Sequence, residues 1–170
     1  GSRNSMFGLF KKEKIKPLSQ VQMKAITKVL IIDDEEPTEL RDLLKKEGWK
    51  NSYLQDLDAL ANKKLEESHI VFIDIMGVGK KLQEKNGIGL VKHIKERYPE
   101  KKVVLYSSVS DHDIFTEALD FVDKRIRKQS SLVPFISAIE EMARNTLQWD
   151  DALKYSYRKI EGLMPAGLTF

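Results

Sequence analysis

Four carboxylates in a row, Asp33-Asp34-Glu35-Glu36, follow directly on the apolar run Val29-Leu30-Ile31-Ile32. Like charges crowded at the end of a buried strand repel one another unless a cation sits among them. Two more apolar runs end in polar residues, "HIVFID" (69–74) in Asp74 and "KVVLYSS" (102–108) in hydroxyls beginning with Ser107, and a short strand-like stretch, "RIRK" (125–128), ends in Lys128. Asp33, Asp34 and Asp74 offer hard oxygen ligands and no nitrogen or sulfur, a donor set that suits Mg²⁺. With two or three protein ligands the ion keeps waters and open positions for phosphate oxygens. A carboxylate between Mg²⁺ and a lysine can accept a phosphoryl group, because developing charge is neutralised from two sides. A hydroxyl such as Ser107 can hydrogen-bond a transferred phosphoryl oxygen.

For these residues to meet, the runs that carry them must be neighbouring strands. "VLII" is short and continuously apolar, as a strand buried on both faces should be. Pro37, then Leu40, Leu43 and Leu44 at helical spacing, then Gly48, predict a helix with the expected ends. "NSYLQ" is a weak second strand. A helix over 57–66 would align Leu57, Ala61 and Leu65. "GLVKHIKERY" predicts a further helix, and another is expected around 113–121. The last strong helix begins near Leu132, with Ser130 or Ser131 as its N-cap. Strands alternating with helices imply a parallel sheet covered on both faces. Ligands of such sheets gather outside the carboxyl ends of the strands. Asp33, Asp34, Asp74, Ser107 and Lys128 are thereby predicted to share one rim.

The segments "VLIIDDEE", "IVFIDIM", "VVLYSS" and "RIRKQ", in this order and spacing, resemble the signature segments of the receiver domains of two-component response regulators. The resemblance spans roughly residues 28–145. It implies a flavodoxin-like fold, a five-stranded parallel sheet of order 2-1-3-4-5 with helices on both faces. It also implies that Asp74 is the phosphoacceptor and that Asp33 and Asp34 form the acidic Mg²⁺ site. Ser107 would be the switch hydroxyl, Lys128 the site lysine, and the Met76 carbonyl a further metal ligand. Lys124 is the alternative lysine; it would place Phe121 at the family's switch-aromatic position but shorten the preceding helix by about a turn. With Lys128 as the lysine, Arg125 stands at that position. Gln129 follows Lys128 where the family has proline, so a cis peptide is not expected there. "MGVGKKLQEKNG" makes the loop after Asp74, 77–87, several residues longer than usual. Met76 and Val109, both apolar, stand where family members flank the path of a hydrolytic water; they are expected to shield the site by packing on the long loop.

The chain of 170 residues carries a formal net charge of +3. Residues 1–28 hold seven Lys/Arg and one acid, which leaves 22 basic and 25 acidic residues for the rest. A slightly acidic body argues against nucleic-acid binding. Zero cysteines exclude thiolate metal sites and disulfides and fit a reducing cytoplasm, the expected location. "GSRNS" ahead of Met6 has the look of a vector-derived scar, and residues 1–27 are read as this scar plus a basic tail. Phe7, Leu9 and Phe10 beside lysines make a membrane contact conceivable in chemistry, but a disordered tail is preferred. The resemblance makes residues 28–145 the receiver unit. Residues 146–170 form an amphipathic helical extension from Trp149, with Leu153, Tyr157, Ile160 and Met164 in line; it covers its own domain or forms a homodimer or partner interface. Asp111-His112-Asp113 is read as a helix start.

Expected partners are a histidine kinase or histidine phosphotransfer protein and a further downstream protein. The chain is expected to be no enzyme beyond its own aspartyl phosphorylation and dephosphorylation. A haloacid-dehalogenase-like phosphatase would need Asp-x-Asp after its first strand, and Glu35 stands at the second position. A receiver-like module that binds partners without phosphorylation remains the alternative.

Overall fold

The computed structural model describes residues 18–84, 86–108, 120–128 and 131–146. Five strands make one parallel sheet: β1 (Lys28–Ile32), β2 (Lys50–Leu54), β3 (Ile70–Asp74), β4 (Lys102–Ser107) and β5 (Lys124–Arg127), in the order β2-β1-β3-β4-β5. The α-helices among the described residues are α1 (Gln20–Ile26), α2 (Thr38–Lys46), α3 (Lys63–Glu67), α4 (Gly87–Arg97) and α5 (Val133–Thr146).

Strand alternation splits the interior into two cores. Leu30, Ile32, Val71, Ile73, Val103 and Leu105 face one side, against Leu90, Val91 and Ile94 of α4. Val29, Ile31, Phe72, Val104, Tyr106 and Ile126 face the other, against Leu40 and Leu44 of α2 and Phe135, Ile139 and Met142 of α5. Both faces of the central strands are covered, which is why "VLII" and "IVFI" are continuously apolar.

Helix α2 begins after Pro37 and is capped at its C-terminus by Glu47, with Gly48 following at φ +88°, as the spacing predicts. Ser131 Oγ accepts from Val133 N at 3.3 Å at the start of α5. Two expectations change. The helix read over 57–66 is only Lys63–Glu67. Asn62 Oδ1 accepts from Lys64 N and Leu65 N and starts the helix there. Asp56 Oδ1 accepts from Leu57 N and turns the chain before it. Leu57 and Leu65 are both fully buried, but from a loop and a helix, and Ala61 is exposed.

The second change concerns the stretch read as the end of a basic tail. Residues 20–26 form α1, opened by a capping box in which Ser19 and Gln22 bond each other's backbone. Met23 enters the α2/α5 core, Gln20 bonds Glu140 on α5, and Lys24 Nζ donates to Glu47 O at 2.6 Å. One buried methionine with side-chain ties to two helices holds this helix on the body; Lys24, the one lysine within it, makes one of those ties, and the other lysines that suggested a tail lie outside the helix in sequence.

Val109, Gln129, Ser130, Asp111-His112-Asp113, nearly all of the helix expected at 113–121 and the extension from Trp149 lie outside the described residues. No described helix is long and apolar enough to cross a membrane.

Candidate metal and phosphoryl site

Parallel strands deliver the candidates to one rim. Asp33 follows β1, Asp74 ends β3, Ser107 ends β4 and Lys128 follows β5. Side-chain alternation places Asp33, Asp74, Tyr106 and Lys128 in step with the α2/α5 core and Ser107 in step with the α4 core. Asp33, Asp74 and Ser107 are almost wholly buried, and Asp34 is exposed. Carboxylate oxygens of Asp33, Asp34 and Asp74 lie within 4.8 Å of one another.

A cation does sit among the carboxylates, and it belongs to the protein. Lys128 Nζ lies 3.2 Å from Asp33 Oδ2 and 3.3 Å from Asp74 Oδ2. Its backbone N–H donates to Ser107 O at 2.8 Å, which locks the end of β5 to the end of β4. Lys124, the alternative, lies four residues back along β5, about 13 Å at the rise of a strand, and pairs with Glu141 on α5. Arg125, which the resemblance puts at a switch-aromatic position, is exposed.

The two buried carboxylates respond differently. Burial alone would raise Asp33, but the Tyr106 hydroxyl, the Glu35 N–H and the Lys128 ammonium outweigh it and hold Asp33 below its ordinary value. At Asp74 burial dominates, Lys128 opposes it only in part and Asp33 adds to it, so Asp74 is pushed up to about 6. Burial would lower Lys128; Asp74 and Asp33 overcome that and raise it. One ammonium thus leaves a surplus of negative charge on three clustered carboxylates. That charge, the all-oxygen donor set and the solvent-facing Asp34 fit a partly hydrated Mg²⁺. Asp33, Asp34 and Asp74 would hold it.

Met76 N donates a long bond of 3.4 Å to Asp74 Oδ1. Its side chain is 49% exposed, so it does not pack into the long loop as expected. Val78 does so instead: it is fully buried in the α4 core, and the intervening Gly77 turns the chain at φ +85°. A Cβ on Gly77 would lie 2.2 Å from Asp34 Oδ2, so a bare α-carbon is what lets the acidic side chain lie over the loop. Gly87, opening α4, plays a related part, since a Cβ there would meet the Asp74 carbonyl oxygen at 2.2 Å.

Sequence reasoning missed three residues. Asp56 ties the long loop down, accepting from Gly79 N at 2.7 Å and from Lys81 N at 3.1 Å. His93 Nε2 on α4 lies 2.6 Å from Glu84 Oε1 at the far end of the same loop. Tyr106 Oη donates to Asp33 Oδ2 at 2.5 Å. Apart from its bond to the adjacent Leu57 N, Asp56 has its partners 23 and 25 residues away, and nothing local marks them. Tyr106 pairs with Asp74 in strand register and shares the parity of the α2/α5 face, a placement that its own stretch of sequence does not state.

No family model matches this sequence, and no curated protein matches it either. Solved structures do. A CheY-like response regulator receiver domain protein from Methanospirillum hungatei is 18% identical, with a TM-score of 0.58 over 71% of this chain and 96% of its own. The beryllofluoride-activated NtrC4 receiver domain dimer is 22% identical, with a TM-score of 0.59 over 70% of this chain and 98% of its own. NtrX from Brucella abortus is 24% identical, with a TM-score of 0.61 over 85% of this chain but only 32% of its own. The fold is that of response regulator receiver domains.

Proposed function

We propose that this receiver-fold chain is a phosphorylation-switched signalling module that accepts a phosphoryl group on Asp74 from a histidine kinase or histidine phosphotransfer protein and passes the signal on by protein contacts. The observation that carries the proposal is the Lys128 ammonium held between Asp33 and Asp74, with Asp34 beside them, at the carboxyl ends of parallel strands. An Asp74 carboxylate oxygen attacks phosphorus, the P–N bond of the donor breaks, and its electron pair returns to the imidazole nitrogen, which takes up a proton. Lys128 and the Ser107 hydroxyl are assigned to the transferred oxygens, and the Met76 carbonyl completes the protein's metal ligands. A bound Mg²⁺ would neutralise charge on the phosphoryl oxygens during transfer.

The test is intact mass after incubation with Mg²⁺ and a small acyl phosphate or phosphoramidate. One phosphoryl group should be gained, only with divalent metal, and none by Asp74→Asn. Lys124→Ala should still gain it, whereas Lys128→Ala should be strongly impaired. A wild-type mass that stays unchanged would leave a module that binds partners without phosphorylation.

A further inference from the structure

The face of Asp33 turned toward α5 is taken up by a residue to which the phosphoryl chemistry gives no part. Tyr106 sits 1% exposed in the α2/α5 core, an expensive place for a hydroxyl without a partner. Its partner is Asp33 Oδ2, at 2.5 Å, the length of a charge-assisted O–H···O⁻ bond. The same ring lies 4.7 Å beneath Lys128 Nζ, edge-on to Phe135 of α5 (centroids 5.6 Å apart) and tilted against Phe72 of β3 (6.3 Å). Three aromatic rings therefore fix where the hydroxyl is, and the hydroxyl fixes Asp33.

Asp33 is thereby held at three points. Oδ2 accepts from Tyr106 and Lys128, and Oδ1 accepts from Glu35 N at 3.0 Å. The Glu35 bond is local and Lys128 is shared with Asp74, so Tyr106 is the bond from outside the charged cluster. A carboxylate at the end of a strand, with a free rotor about its Cα–Cβ bond, otherwise loses rotational freedom when it takes up an ion; one already pinned does not.

We infer that Tyr106 is a positioning residue for the metal site: its hydroxyl orients the Asp33 carboxylate, from outside the ligand set, for a divalent cation. The inference rests on the metal-binding reading above. Outer partners of metal ligands commonly matter by about 10–100-fold in affinity.

The test is Mg²⁺ titration by calorimetry on the full chain as wild type, Tyr106→Phe and Phe135→Leu. Tyr106→Phe keeps the ring and deletes only the donor, and its Mg²⁺ affinity should fall about tenfold or more. Phe135→Leu disturbs the packing and keeps the hydroxyl, and its affinity should stay within about threefold of wild type, well short of that loss. Equal or tighter binding by Tyr106→Phe, with wild type binding normally, would overturn the inference and leave the metal site standing. An equal loss in Phe135→Leu would also overturn it, since packing and not the hydroxyl would then be responsible. A wild type that binds no Mg²⁺ at millimolar levels would remove the metal site and this role with it.

Discussion

Asp74 ionises in the folded chain near 6 instead of near 3.8, so between those values the folded state binds the proton more tightly than the unfolded one. Its contribution to stability is therefore complete below about 3.8 and lost as pH rises through about 6, on the order of 3 kcal/mol in all. Asp33 runs the other way: its pKa is lowered, and its contribution is lost only as pH falls through that lowered value. In metal-free buffer at about pH 7.5, Asp74→Asn should therefore melt above wild type, with the lead shrinking toward about pH 5. Saturating Mg²⁺ should raise the wild-type melting temperature and reverse the order, because binding to the folded state alone stabilises it. Melting curves at two pH values, with and without Mg²⁺, check all of this. Gly77 gives a second prediction at this scale. Gly77→Ala adds a Cβ at positive φ and drives it into Asp34, so it should cost about 1–2 kcal/mol and weaken Mg²⁺ binding together. Denaturant melts and a metal titration on one variant measure both.

The loop after β3 shows how an element unusual in length can still be well placed. Val78 is buried at one end, Asp56 holds Gly79 N and Lys81 N in the middle, and Glu84 meets His93 at the other end. A carboxylate that satisfies three backbone N–H groups, counting Leu57, leaves all three without it when truncated. Asp56→Ala should destabilise the protein by about 1–3 kcal/mol and speed hydrogen exchange at Gly79 and Lys81 more than at the β3 amides. Urea unfolding and exchange mass spectrometry test the two parts separately; uniform acceleration across the sheet would mean Asp56 supports the fold in general and not the loop.

Across the molecule the sheet separates labour by end. The carboxyl ends of the strands carry the charged cluster, and the opposite end is closed near β1 and β2 by α1. There Lys24 lies over Trp49, 5.6 Å from its ring centroid, and Lys101, buried at the same end, donates to Ser68 O at 2.5 Å and Glu66 O at 3.0 Å. Met23→Ala removes the side chain that anchors α1 and should cost about 2–3 kcal/mol. Mg²⁺ affinity should be unchanged, since the length of the strands separates the two ends. Chemical denaturation and a Mg²⁺ titration decide it; a coupled loss of affinity would mean the ends communicate through the α2/α5 core.

The sequence by itself determined the sheet, its parallel sense and the rim at which Asp33, Asp34, Asp74, Ser107 and Lys128 stand. Continuous apolar runs ending in polar residues are written locally, and parallel winding leaves one place for those ends. It also pointed to Lys128 over Lys124, on spacing and because "RIRK" reads as the strand that Lys128 ends. What only the tertiary structure decided depends on partners distant in sequence. The short α3 reflects the Asn62 cap and the Asp56 turn winning over the spacing of Leu57, Ala61 and Leu65. Helix α1 owes its place to Met23, Gln20 and Lys24 finding α5, Glu47 and Trp49, which no run of lysines announces. Tyr106 looked like one more apolar strand residue. Its hydroxyl acquires a role only because Asp33, 73 residues earlier, ends a strand two places away in the same sheet, on the same face.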